Sequence, residues 1–289
     1  MRLPLSMPMR EAVGAIRRAR PPMLSLGFMT LLVVAAVFAP LIAPDSPRVG
    51  QLSSRMAPPV WLDGGSVDHL LGADQLGRDM VSRLLFGSRT SLGVAFLAVV
   101  FSGVIGTLIG MVAGYFGGRT DAILMRITDV ALSIPLILLA IVLVAALGPS
   151  LQNVVIVIIL LLWPYYARQV RGETLTLRTF DYVALARVAG CPDRVIIWRH
   201  ILPNVMPTVL VIATLQAANV ILLEAALGFL GVGIPPPSPA WGLMVGEGRI
   251  HLATAWWIAI WPGLAIFLTV MCMNIIGDWL RDWLDPKVQ

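Results

Sequence analysis

Long apolar runs alternate along this chain with short charged connections. A bilayer core about 30 Å thick needs about 20 apolar residues per helical span. Six runs approach that length: residues 24–43, 91–113, 127–147, 154–166, 205–230 and 256–276. They predict six transmembrane helices, the fourth resting on the shortest run. Arg10, Arg17, Arg18 and Arg20 precede the first run as in a signal peptide. That run, however, exceeds the roughly 7–15 apolar residues such a peptide carries, and Pro40 and Pro44 crowd any cleavage site, so an uncleaved anchor is expected.

The connections carry their own patterns. From Asp79 onward, Asp79 and Arg83 stand one turn apart, while Met80 with Leu84 and Val81 with Leu85 form i,i+4 apolar pairs. This predicts an amphipathic helix on the outer membrane surface, which either shapes a docking mouth or only anchors the second span. In the longest internal connection, residues 167–204, Asp181 is placed to cap a helix through Val188 that Gly190 and Pro192 end. A second helical piece, residues 193–200, is expected to stop at Pro203. Ala184 and Ala186 allow close approach of another protein, and Arg187, Asp193 and Arg194 add charge; an interfacial helix lying on lipid headgroups fits the same pattern.

Composition agrees with a membrane chain: 58% of residues are hydrophobic and 13% charged, against about 25% charged in soluble domains. The net charge of +5 comes from basic residues spread over short loops, which speaks for topology rather than a nucleic-acid partner. With the N-terminus inside, fifteen Lys and Arg fall on the cytoplasmic side and six outside, following the positive-inside bias and placing both termini in the cytoplasm. Cys191 and Cys272 then lie on the reducing side.

The expected organisation is a cytoplasmic segment 1–23, a first span 24–43, an extracytoplasmic segment 44–90, a core of five spans 91–276 that includes the loop 167–204, and a cytoplasmic tail 277–289. In the tail, Trp279, Trp283, Leu280 and Leu284 give one greasy face that anchors it.

Glu224 is the one carboxylate deep in an apolar run, and a charge there costs at least about 2.5–3.5 kcal/mol if it faces lipid. It must face protein or water. Gln216 and Val220 share its stripe and Asn219 lies one turn from Gln216, so these polar groups either line a translocation pathway or hold helices together by hydrogen bonds. Gly228, Gly231 and Gly233, followed by Pro235, Pro236, Pro237 and Pro239, predict a stiff outer loop, a docking surface or a plain rigid turn. Asp129 is expected to pair with Arg126. His69, His200 and His251 are too scattered for a metal site.

No phosphate-binding G-x-x-x-x-G-K-[ST] loop occurs, and the only lysine is Lys287. No Ser/His/Asp or Cys/His set is confined to one membrane face, so neither an ATPase nor an intramembrane hydrolase is indicated. A self-contained secondary transporter or channel, and a membrane scaffold without a pathway, remain as alternatives; the chain shows neither the internal repeat nor the proton-relay series of the former.

The run Ala184-Leu185-Ala186-Arg187-Val188-Ala189-Gly190, with Leu202-Pro203 at the proper distance, resembles the EAA loop of ABC importer permeases. It departs from that pattern at Ala184, Leu185 and His200, so no carboxylate is offered at the first position. The stretch from His69 through Asp79 to Arg89, the stretch from Leu223 through Gly233 to Trp241-Gly242, and the ending from Gly277 to Pro286 resemble the dipeptide, oligopeptide and nickel branch, in particular its C-type permease.

The resemblance implies an all-α integral membrane protein of six spans with the ABC type I importer permease fold, in the bacterial cytoplasmic (inner) membrane. It implies a second, homologous permease, two ATP-binding subunits and an extracytoplasmic substrate-binding protein as partners. No cofactor would be bound by this chain, ATP and Mg²⁺ belonging to the partner ATPases. Ala184, Ala186, Arg187, Gly190, Asp193, Arg194, Leu202 and Pro203 would couple to those ATPases, with peptide the expected cargo and nickel, glutathione and sugars open.

Overall fold

The computed structural model describes residues 21–284. Arg10, Arg17, Arg18 and Arg20, and Asp285, Pro286 and Lys287 of the tail, lie outside the described residues. Within them the chain is helical and contains no β-strand. α1 is Met23–Val37, extended by a turn at Ala39–Ile42. An irregular segment leads to α2, Met80–Phe116. α3 is Gly118–Ser133, α4 Leu136–Leu147 and α5 Leu151–Leu177. After the short α6, Asp181–Val188, come α7, Leu202–Phe229, α8, Trp241–Gly248, and α9, Trp257–Leu284.

Among the described residues, four helices are long and apolar enough to cross a membrane, α2, α5, α7 with its lead-in, and α9, or five if the bent pair α3–α4 counts as one span. The run 127–147, expected as a single span, is bent by 89° between α3 and α4. Pro135 is the cause: it lacks an N–H to continue the helix and forces the preceding residue out of the helical region. Ile134 is accordingly extended, with φ −91° and ψ 133°.

Two other expectations are corrected. The second span is not preceded by a separate surface helix; α2 is continuous for 37 residues, about 55 Å at about 1.5 Å per residue. Asp79 caps it, accepting the Ser82 N–H at 2.7 Å. In the first turns of α2, Met80, Ser82 and Arg83 are buried in protein, while Val81, Leu84 and Leu85 are half-buried. At the other end of the loop, Pro203 does not stop a helix. The stretch Ile197–Ile201 is π-wound and runs straight into α7, giving room for a proline ring that would press on the carbonyl four residues back. Likewise α9 passes without interruption through the expected tail, where Trp279 and Trp283 stack at 6.2 Å between ring centroids.

The centre of the fold is the pair α2 and α5. Along one face of α2 stand Gly106, Gly110 and Gly114. A Cβ at these positions would meet the Trp163 carbonyl oxygen at 2.3 Å, the Ala167 carbonyl oxygen at 2.6 Å and the Thr174 Cβ at 2.7 Å. Only glycine lets the two backbones approach so closely, the small-residue packing that drives helix association where lipid removes the hydrophobic driving force. A middle core of Val94, Ala98, Val157, Ile158, Ile221 and Leu227 joins α2, α5 and α7. One end is filled by Met80, Trp241, Met244, Trp257 and Ile258, the other by Met111, Tyr115, Tyr166, Val183, Ile196 and Ile201.

Candidate functional site: the loop around α6

α6 begins at Asp181, which is its first residue; the preceding Phe180 occupies the cap position and no side chain caps the helix, so the expected Asp181 cap is not formed. Its end follows the sequence. Gly190 takes φ +76°, the Ala186 carbonyl accepts from Cys191 N–H at 3.0 Å, and the Arg187 carbonyl accepts from Gly190 N–H at 3.0 Å. Such a left-handed glycine closure satisfies the last carbonyls and turns the chain sharply. Nothing lies within 4 Å of a Cβ built on Gly190, so the turn faces open space.

The loop has two faces. Val183 is buried and Ala186 half-buried against the core formed by Met111, Tyr115 and Ile196. Leu202 packs at the edge of the same core, while Pro203 is exposed. On the outer face Ala184 is exposed beside Leu185 at 68% and Val188 at 87%. The latter two are the most exposed large apolar side chains of α6. The small residues singled out in the sequence are split between the two faces, and Leu185 and Val188 are the outward pair; their alternation against Val183 and Ala186 was the available signal.

Arg187 and Asp193 are exposed, yet both touch Tyr115 of α2. The Arg187 guanidinium lies 4.9 Å from the centroid of the Tyr115 ring, and the Tyr115 hydroxyl donates to Asp193 Oδ1 at 2.6 Å. Arg194 stays exposed with no ion-pair partner among the described residues. Burial raises the Tyr182 phenol above its ordinary value. Asp129 pairs not with Arg126 but with Arg168 of α5, at 2.6 Å, and Asp121 accepts two bonds from Arg171 at 2.5 and 2.6 Å.

The polar stripe of α7 is divided. Asn219 donates to Gln216 Oε1 at 2.8 Å, and both line a cavity of about 440 Å³ with Leu136, Tyr165 and Leu223. Glu224 does not line it. Its carboxylate, on a residue 1% exposed, accepts from the Ser91 hydroxyl of α2 at 2.9 Å, and its other oxygen has no partner.

At the opposite end of α2 four charges are sealed together. Asp74 accepts from Arg78 Nε at 2.5 Å and from Arg83 Nη1, and Glu247 of α8 accepts from Arg83 Nη2 at 2.9 Å. Asp79, one turn from Arg83, faces Ser82 and His69. Trp257 Nε1 donates to the Ala73 carbonyl at 3.0 Å, and Trp241 Nε1 to that of Leu84 at 3.1 Å, so these buried indoles leave no N–H unsatisfied.

The helical fold is shared with solved chains. A chain of the inward-facing MetNI methionine ABC transporter superposes with a TM-score of 0.60 at 19% identity, covering 71% of this chain and 98% of that one. Residues 106–289 match the family described as the inner membrane component of binding-protein-dependent transport systems. Residues 8–59 match the N-terminal transmembrane domain of oligopeptide transport permease C.

The di/tripeptide transport system permease DppC of Pseudomonas aeruginosa is 42% identical over 98% of this chain and 93% of its own. The dipeptide transport permease DppC of Escherichia coli is 43% identical over 98% and 94%, and that of Alkalihalophilus pseudofirmus 40% over 98% and 91%. The chain belongs to the binding-protein-dependent permease family of ABC importers: it is a multi-pass membrane permease of a bacterial transport system, a transport subunit rather than a catalytic enzyme.

Proposed function

We propose that this chain forms half of the pathway through which a bacterial importer carries dipeptides and oligopeptides across the cytoplasmic membrane. A second, homologous permease supplies the other half. α1 is the sixth span beside the four long helices and the bent pair, with both termini in the cytoplasm. An extracytoplasmic binding protein delivers the cargo, and two ATP-binding subunits, carrying ATP and Mg²⁺, dock on the α6 loop. The cargo assignment is supported by the peptide-transport names of relatives that match the chain from end to end.

The observation that carries the coupling role is the outward pair Leu185 and Val188 on a short helix whose other face is fixed to the core. An ATPase cleft closing on nucleotide grips this pair, and α6 moves as a unit because Gly190 ends it without slack. Ala184, Arg194 and Pro203 are exposed around the grip, Ala186 and Leu202 pack toward the body, and the exposed Arg187 and Asp193 tie the loop to Tyr115. The Gln216–Asn219 amides offer neutral hydrogen-bonding groups in an otherwise apolar cavity, suited to a peptide backbone in transit, and Glu224 steadies α7 against α2.

The test is Gly190→Arg in the complete complex reconstituted in proteoliposomes. Assembly should persist while ATP hydrolysis stimulated by the loaded binding protein, and uptake of labelled dipeptide, are lost. Undiminished stimulation would refute the coupling role of the loop. Uptake of nickel or glutathione in place of peptide would refute the cargo.

A further inference from the structure

We propose that Tyr115 is the positioning residue through which a displacement of the α6 loop reaches α2, an inference that rests on the coupling role proposed above. Tyr115 is the penultimate residue of α2 and is 4% exposed. Its ring lies under the Arg187 guanidinium at 4.9 Å, and its hydroxyl donates to Asp193 Oδ1 at 2.6 Å. Arg187 belongs to the last turn of α6 and Asp193 opens the next helical turn. One side chain therefore grips both limbs of the hairpin that Gly190 closes.

The grip is backed on the other side. Arg178, just beyond α5, donates through Nη1 to the carbonyls of Gly114 and Tyr115 at 3.0 and 3.5 Å. The end of α2 is thus tied to α5 where the glycine-lined contact between the two helices begins, and α2 and α5 move as one body. On its C-terminal side the loop reaches α7 through the π-wound stretch Ile197–Ile201, a departure from α-helical winding often found at functional sites. Tyr115 offers a second, non-covalent route that leads from α6 to α2. In this arrangement Arg187 and Asp193 serve coupling by holding Tyr115.

The experiment compares variants in the complete reconstituted complex, reading assembly, basal ATP hydrolysis, stimulated hydrolysis and dipeptide uptake. Tyr115→Phe keeps the ring and loses the bond to Asp193; uptake per ATP should fall about fivefold, the equivalent of one hydrogen bond. Tyr115→Leu loses both contacts and should fall further, with assembly and basal hydrolysis retained in both. A third arm makes Tyr115→Cys and Asp193→Cys in a background with Cys191→Ser and Cys272→Ala, and bridges the new pair with a flexible bis-thiosulfonate reagent. The bridge should restore stimulated hydrolysis, and reductant should abolish it again, a reversal that a purely structural tyrosine would not show.

If Tyr115→Phe and Tyr115→Leu couple like the parent while Gly190→Arg does not, or if bridging changes nothing, Tyr115 is not the transmitter and the role of the loop stands. If Gly190→Arg also leaves stimulation intact, the coupling role itself falls.

Discussion

The two ends of α2 are built on opposite plans. At its start, Asp74, Arg78, Arg83 and Glu247 form a closed network with both carboxylates paired, reinforced by two indole N–H groups that donate to backbone carbonyls. At its finish, a single tyrosine reaches a loop whose outer face leaves Leu185 and Val188 to solvent. One end pairs its buried charges within the chain; the other leaves apolar side chains exposed. A fixed end and a graspable end on one long helix make a lever with a defined anchor.

That contrast can be broken from the anchored side first. Asp74→Ala removes the carboxylate shared by two buried guanidiniums, and breaking such a buried pair costs about 3–5 kcal/mol; purified protein should lose most of its monodisperse fraction in detergent. Gly106→Ala drives a methyl into the Trp163 carbonyl and should cost about 1–3 kcal/mol as overpacking, read as a lower melting temperature. Ser91→Ala leaves the Glu224 carboxylate without its partner and should cost about 1–3 kcal/mol, toward the lower end because the residue is small. On the graspable side, Leu185→Asp should change stability by no more than about 0.5 kcal/mol, as for a surface position. The same variant should nevertheless fail to retain the ATP-binding subunits through affinity purification, which sets the two ends apart most sharply.

What the sequence made legible follows from how local each signal is. The apolar runs located α2, α5, α7 and α9, and Gly190 with Pro192 located the end of α6, because both depend on residues adjacent in the chain. Pro135 was equally local, yet a run that averages as apolar conceals the break it forces between Ile134 and Leu136. Pro203 misled in the opposite sense, since a π-wound turn accommodates a ring that an α-helix would reject. The distant partners of Arg83 and Glu224 could not be read at all: Glu247 lies 164 residues from Arg83, and Ser91 lies 133 from Glu224. Neither pairing leaves a trace in spacing. The spacing of Gly106, Gly110 and Gly114 was a usable signal for the α2–α5 contact, of the small-x-x-x-small kind found between membrane helices.

The enclosure around Asp74 has an electrical consequence. Two carboxylates and two guanidiniums gathered in one pocket sum to zero formal charge, so these four groups together exert little long-range field. Shifting that end within the membrane potential, where each unbalanced elementary charge is worth about 2.3 kcal/mol per 100 mV, would require no electrical work from these four groups.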